Sequence, residues 1–265
     1  MNAPLFPRDR LTLNIALLFP DRPFLDRIDA AAACGFGKVE CHFPYEHPVA
    51  EVRARLEAAG VALTGLNTRP GSGPGAWGRA ALPGREAEFE ADFEEAFGYA
   101  TALGARVIHV MAGHPAPEER VAARATYVAN LRRAAARAAE RGITLVLEPL
   151  NAVDRPGYFV SRADDLAEIL AEIDRPNVRL LFDFYHVQIG EGDLIRRFRR
   201  LLPWIGHVQI AAVPDRGEPD GGEIAYRAVL EAVAESGYQG LIGLEYNPRG
   251  DTAEGLAWVE RMGIA

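Results

Sequence analysis

Helical stretches rich in Ala, Leu, Glu and Arg alternate along the chain with short apolar runs, and a glycine separates each pair. The unit recurs as AAACG-FGKVECHF, LEAAG-VALTGLN, ATALG-ARVIHVMAG, AAERG-ITLVLEPL and VAESG-YQGLIGLEYN. Gly35, Gly60, Gly104, Gly142 and Gly237 stand where a helix ends on a left-handed residue, a conformation cheap only for glycine. In DRPN-VRLLFDFYH, Asn177 takes that place. With the opening run LTLNIALLF and the later WIGHVQIAAV, the pattern predicts eight strands, near 11–19, 38–43, 62–67, 106–113, 144–150, 178–184, 205–213 and 241–247. Helices are expected near 23–34, 48–59, 85–103, 117–141, 161–174, 193–202, 223–236 and 252–262.

Strict strand–helix alternation with buried-looking strands implies a parallel sheet covered by helices. Eight such units, with no linker or low-complexity break, favour one closed (β/α)8 TIM barrel spanning residues 1–265 as a single domain. The rival is an open doubly wound sheet. It would normally show a Gly-rich loop after its first strand, and ALLFPDRP is not one.

Composition narrows the function classes. The length of 265 residues suits a single barrel, and 49% hydrophobic with 25% charged residues is ordinary for a globular protein. A net charge of −8 argues against a nucleic-acid partner, but an anionic substrate can still meet local positive charge in a cleft. No membrane partner is expected, because no run approaches the ~18 apolar residues of a span. Cys34 and Cys41 form neither a zinc pattern nor a disulfide framework, so a cytoplasmic location is the default expectation. Lys38 is the only lysine, so a Schiff-base mechanism would have to use it. Assembly into a homo-oligomer is left open.

The active site of such a barrel lies at the C-terminal ends of its strands. Those ends carry Asn14, Glu40 with His42, Asn67, His109, Glu148, Asp183, Gln209 and Glu245. Charged groups inside apolar runs are costly unless paired or bound to metal. Three carboxylates converging on one mouth would raise one another's pKa unless a cation sat nearby. No arginine lies within strands five to eight except Arg179, which is at the wrong end. A metal is the simpler answer. Glu148, Asp183, Gln209 and Glu245 offer oxygen ligands only, a hard set suited to Mg2+ or Mn2+. His186, three residues beyond Asp183, is read as pointing at the substrate and not at the ion. The Gly-rich segment 68–84 is read as a lid, with Trp77 docking it onto something. The loops NAVDRPGYF and VPDRGEP each bring Asp and Arg to the mouth, and Arg216 is suited to fork onto a carboxylate.

VECHFPYEHP, ALPGREAEF, LEPLN, FDFYHVQ, the RGEP-containing stretch after HVQIA, and LEYNP together resemble the hydroxypyruvate isomerase family of the xylose isomerase-like barrels, in order and over roughly residues 12–260. The resemblance implies that Glu148 and Glu245 bind the metal and move the proton, with Asp183 and Gln209 as the remaining ligands. It implies that His186 meets a substrate oxygen and Arg216 the substrate carboxylate; Glu40, Asn67 and His109 are assigned to the substrate as well. Family members read close to N-L-P-A-G-D-W after strand three. This chain runs from Asn67 through Thr-Arg-Pro-Gly to Trp77, adding the cation Arg69, also assigned to the substrate. The implied reaction is a metal-assisted proton shift through an enediolate on a small acid sugar. Hydroxypyruvate, giving 2-hydroxy-3-oxopropanoate, is the first substrate expected. A four-carbon 2-oxo acid, a ketose 3-epimerisation, an apurinic endonuclease and a non-catalytic binding protein are the alternatives, in that order.

Overall fold

Each strand is short and β-rich, and each is followed by a stretch that cannot continue it, so the chain must cross over before pairing again. The computed structural model describes residues 5–72 and 76–264. Eight parallel strands close on themselves in sequence order: β1 (Leu11–Asn14), β2 (Lys38–Glu40), β3 (Ala62–Asn67), β4 (Val107–His109), β5 (Thr144–Leu147), β6 (Val178–Asp183), β7 (Ile205–Ile210) and β8 (Ile242–Leu244). β1 pairs with β8, which leaves no sheet edge and excludes the open doubly wound alternative. The outer layer is α1 (Phe24–Ala33), α2 (Val49–Ala59), α3 (Glu86–Leu103), α4 (Arg120–Ala139), α5 (Ala163–Ile173), α6 (Phe184–Gly190), α7 (Leu194–Leu201), α8 (Tyr226–Glu235), α9 (Thr252–Gly255) and α10 (Trp258–Arg261). No helix among the described residues is long and apolar enough to cross a membrane.

The five expected glycines all have positive φ. Asn177 does not take the sixth such place. Asp174 ends α5 with φ 51°, three residues earlier. Pro176 accounts for the difference, since it biases Arg175 towards extended backbone and the helix must stop before it. Asn177 is used differently, its Nδ2 donating to the Ala135 carbonyl at 2.8 Å. A second departure is α6. Phe184 was expected to end the strand and the residues after it to be loop, but the chain turns straight from β6 into helix at Phe184. Asp183 caps it, its Oδ1 accepting from the Tyr185 N–H at 2.9 Å.

Side chains two apart on a strand share a face, so each inward register carries several levels of the barrel interior. On β8 and its extension Leu241, Gly243 and Glu245 point inward. Gly243 must be small: a Cβ there would lie 2.5 Å from Glu40 Oε1 and 2.8 Å from Gln209 Cγ. The segment after β3 folds back over the mouth, though residues 73–75 of the expected lid lie outside the described residues. It docks on the end of β4 by backbone bonds from Ala80 to Met111 (3.3 Å) and from Ala81 to Ala112 (2.8 Å). Asn130 of α4 adds a bond to the Ala80 carbonyl at 2.8 Å.

At Gly78 the lid runs close against the barrel. Its φ is 99° and an added Cβ would lie 2.0 Å from the Met111 carbonyl oxygen. Gly78→Ala therefore combines a disfavoured backbone with a backbone overlap and should destabilise the protein by about 2 kcal/mol or more. Urea unfolding checks the loss, and Trp77 emission against a Trp77→Phe control reports the lid. Unchanged stability and emission would show that the lid is not held by this contact.

Candidate active site

The mouth is built from strand ends and two loops that reach over them. Glu148 directly follows β5, Asp183 ends β6 and caps α6, and Glu245 directly follows β8. All three are buried, as are His109, His186 and Gln209. Ligand atoms of Glu148, Asp183 and His186 lie within 4.8 Å of one another, the one such group able to hold a metal ion among the described residues. His186 Nε2 is 3.8 Å from Asp183 Oδ2 and 3.9 Å from Glu148 Oε1. His109 Nδ1 stands 3.7 Å from the other Glu148 oxygen.

Arg216 enters this cluster from the loop after β7, a source that strand positions alone could not reveal. Its backbone is left-handed, with φ 53°. Arg249 holds the loop from outside, its Nε 2.7 Å from Asp215 and its Nη1 3.1 Å from Glu218. Asp215 is thus turned away from the mouth and Arg216 into it. The Arg216 Nη2 lies 2.8 Å from Glu245 Oε1 and 3.6 Å from Asp183 Oδ2, with the guanidinium over the Tyr185 ring. Glu245 also has His42 Nε2 at 3.4 Å and accepts from Asn14 Nδ2 at 2.9 Å.

The carboxylates respond unequally. Burial, then repulsion from Glu245 and Asp183, pushes Glu148 well above the usual carboxyl range. Burial likewise raises Asp183 to about 7, although Arg216 opposes it. Burial works against ionisation of Glu245 too, but His42 and Arg216 outweigh it and hold that group down to about 2. The mouth therefore holds one firmly ionised carboxylate facing others that resist ionisation. Burial pulls His109 down to about 4 and His186 well below its usual value, so both rings are neutral near pH 7.

Glu148 Oε1, Asp183 Oδ2 and Gln209 Oε1 are buried without a hydrogen-bond partner. Buried acceptors are normally satisfied, so the two in the Glu148–Asp183 cluster point to a missing cation or donor, while Gln209 lines the inner cavity beside Glu40. A hard divalent ion fits this oxygen donor set.

Two expected substrate residues lie elsewhere. Glu40 sits below the mouth, its Oε2 2.8 Å from His207 Nε2 and its Oε1 2.7 Å from Gln209 Nε2. It lines a separate cavity of about 80 Å³ inside the barrel. The reason is strand register: His42, two residues on, occupies the upper level of the same face. Arg69 forks onto Glu95 of α3, its Nη2 2.8 Å from Oε1, and stacks over the Tyr45 ring, so its guanidinium is used up outside the cleft. Asn67, His109, His186 and Arg216 do line the cleft of about 300 Å³, with Glu148 and Glu245. His42, Asp154, Arg155 and Trp77 line it as well, and Arg155 stacks on Trp77 with its Cζ 3.9 Å from the ring centroid. The period-two register after Glu40 was a signal for His42; nothing in the sequence placed Arg155 against Trp77.

A closed parallel barrel with a buried acid–base cluster at its C-terminal mouth defines an enzyme of the (β/α)8 class. The family model described as xylose isomerase-like TIM barrel matches residues 28–262. A 2-oxo-tetronate isomerase of Cupriavidus necator is 47% identical over 253 residues, covering 95% of this chain and 97% of that protein. The hydroxypyruvate isomerase of Escherichia coli K12 is 36% identical over 253 residues, covering 95% and 98%. A solved structure from Brucella melitensis, titled AP endonuclease, family 2, superposes with a TM-score of 0.93 at 40% identity, covering 96% and 98%. The chain belongs to the hydroxypyruvate isomerase family of the xylose isomerase-like TIM barrels.

The raised carboxyls make cation binding and pH interdependent. Asp183 moves from 3.8 to about 7 on folding, so its contribution to stability is full below about pH 4 and lost as pH rises through 7. A cation that binds the ionised carboxylates restores that loss. With Mn2+ as the probe, the gain in Tm should be larger at pH 8 than at pH 5, where protons already occupy the site. A gain independent of pH, or none, would remove these carboxylates from cation binding.

Proposed function

We propose that the protein isomerises a small 2-oxo, hydroxy acid by moving a proton between adjacent carbons through an enediolate. What supports this reading most directly is the pairing of Glu148 and Glu245 in one closed cleft, one resisting ionisation and one held ionised. A proton shift needs a base at one carbon and an acid at its neighbour. The first substrate is hydroxypyruvate, interconverted with 2-hydroxy-3-oxopropanoate. A four-carbon 2-oxo-tetronate is the second reading, favoured by the 47% identity to the Cupriavidus relative.

Glu148 and Glu245 take the proton from one carbon and return it to the next. Arg216 binds the substrate carboxylate; its Nε is buried without a partner and is a donor available to a ligand. A substrate carboxylate on that guanidinium also competes with Glu245 for it, which makes Glu245 more basic only when substrate is present. Trp77 and the docked lid exclude water from the enediolate. Glu148, Asp183, Gln209 and Glu245 would hold Mg2+ or Mn2+, which when bound supplies a Lewis acid for the oxygen charge of the enediolate.

Chelation should abolish turnover, with Mg2+ or Mn2+ restoring it better than Zn2+. Glu148→Gln and Glu245→Gln should each lower kcat by at least ~10²-fold, the scale of a lost general base. Near-normal kcat in either variant would remove it from proton transfer. The substrate reading is tested with three- to six-carbon 2-oxo acids and neutral ketoses. Arg216→Ala should cut kcat/KM for the acids by ~10²-fold or more, the cost of a lost charge-assisted contact. Neutral ketoses should be affected much less. Preference of the wild type for fructose or tagatose would instead mark a 3-epimerase, and nicking of an abasic DNA duplex would mark a nuclease.

A further inference from the structure

We propose that Asn151 is a positioning residue that keeps the proton of His186 on Nε2, making His186 a hydrogen-bond donor to a substrate oxygen and barring it from the metal. Asn151 follows β5 in LEPLNAVD and is wholly buried. Its Oδ1 accepts the backbone N–H groups of Val153 at 3.1 Å and Asp154 at 2.9 Å. Both partners are obligate donors, so the amide cannot be turned the other way. Its Nδ2 is thereby aimed at His186 Nδ1, 2.7 Å away, and at Asp154 Oδ2, 3.1 Å away. The backbone N–H of Asn151 points at the same ring nitrogen from 3.2 Å.

Two donors converge on Nδ1, so Nδ1 presents its lone pair. A neutral imidazole then carries its proton on Nε2. A metal-ligating histidine has the opposite arrangement, with its second nitrogen donating outward to a carboxylate or carbonyl. His186 Nε2 is too far from Glu148 and Asp183, at 3.9 and 3.8 Å, to be spent on either. With Nδ1 turned to Asn151, Nε2 is the nitrogen left for the cleft that His186 lines. The proximity of His186 to the two carboxylates is thus the geometry of a donor beside an ion site. The tautomer stands on hydrogen bonds alone; only the identity of the oxygen it meets rests on the isomerase reading.

Asn151→Asp separates this role from a packing role. The aspartate keeps the acceptor for Val153 and Asp154, but its second oxygen accepts where the amide donated, drawing the proton to Nδ1. Long-range 1H–15N correlation on histidine-labelled protein without metal reads the tautomer, and the signal missing in His186→Gln assigns it. The wild type should show a protonated Nε2 and a bare Nδ1, and Asn151→Asp the reverse. With Mn2+ and hydroxypyruvate or 2-oxo-tetronate, kcat of Asn151→Asp should fall by ~10²-fold, the cost of one lost electrostatic donor. Asn151→Ala keeps the backbone N–H on Nδ1 and should retain the wild-type tautomer with a smaller loss. A wild-type ring protonated on Nδ1 overturns the proposal even if Asn151→Asp does not fold. So does an Asn151→Asp protein with the tautomer unchanged. If neither acid is turned over while the tautomers are as expected, the isomerase reading fails and the positioning role stands.

Discussion

Placing Glu148, Asp183 and Glu245 around one buried mouth is the constraint that organises the rest of this molecule. Three carboxylates in a low-dielectric cleft repel one another, and leaving any buried charge uncompensated costs several kcal/mol. The structure meets this partly with Arg216, delivered to Glu245 and Asp183 from outside the barrel, and partly by resisting ionisation of Glu148 and Asp183. What is left on Glu148 and Asp183 is one oxygen each without a hydrogen bond, a site with unmet demand for positive charge. An apolar core would be more stable there.

Two amides set the directions of the polar groups around that cluster. Gln209 donates its Nε2 to Glu40, which leaves its Oε1 without a hydrogen bond, and Glu40 is in turn held by His207. Gly243 supplies the space that this lower layer needs. Asn151 does the corresponding work for His186 from the side, through two backbone N–H groups that fix its own orientation. An amide can face either way without steric cost, so a partner of fixed polarity is required to choose. Both sites provide one.

The loops divide the labour differently from the strands. Arg249 pins the β7 loop through Asp215 and Glu218 so that Arg216 alone turns inward. The lid is anchored to β4 by backbone bonds on one side and offers Trp77 to Arg155 on the other. Positive charge thus borders a cleft whose floor is acidic, on a chain of net charge −8. That local reversal is what an anionic small substrate needs, and global charge does not report it.

The sequence by itself determined the class of fold and which polar side chains stand at the strand ends. Short apolar runs, helical stretches and glycine stops are local signals, and β-strand ends necessarily meet at one mouth once eight of them close into a barrel. Glu148, Asp183, Gln209 and Glu245 were legible as strand-end residues for that reason. The short helix after Asp183 was not, because strand passes to helix there without a turn residue. Nor were the fates of Glu40 and Arg69 legible: one level of register separates a mouth residue from a core residue, and Glu95 lies 26 positions beyond the arginine it captures. Which cation faces the carboxylates, which way each amide points and which histidine nitrogen carries a proton were decided only by the tertiary structure. Each depends on a partner brought close by folding, and a side chain's chemical type does not specify its partner.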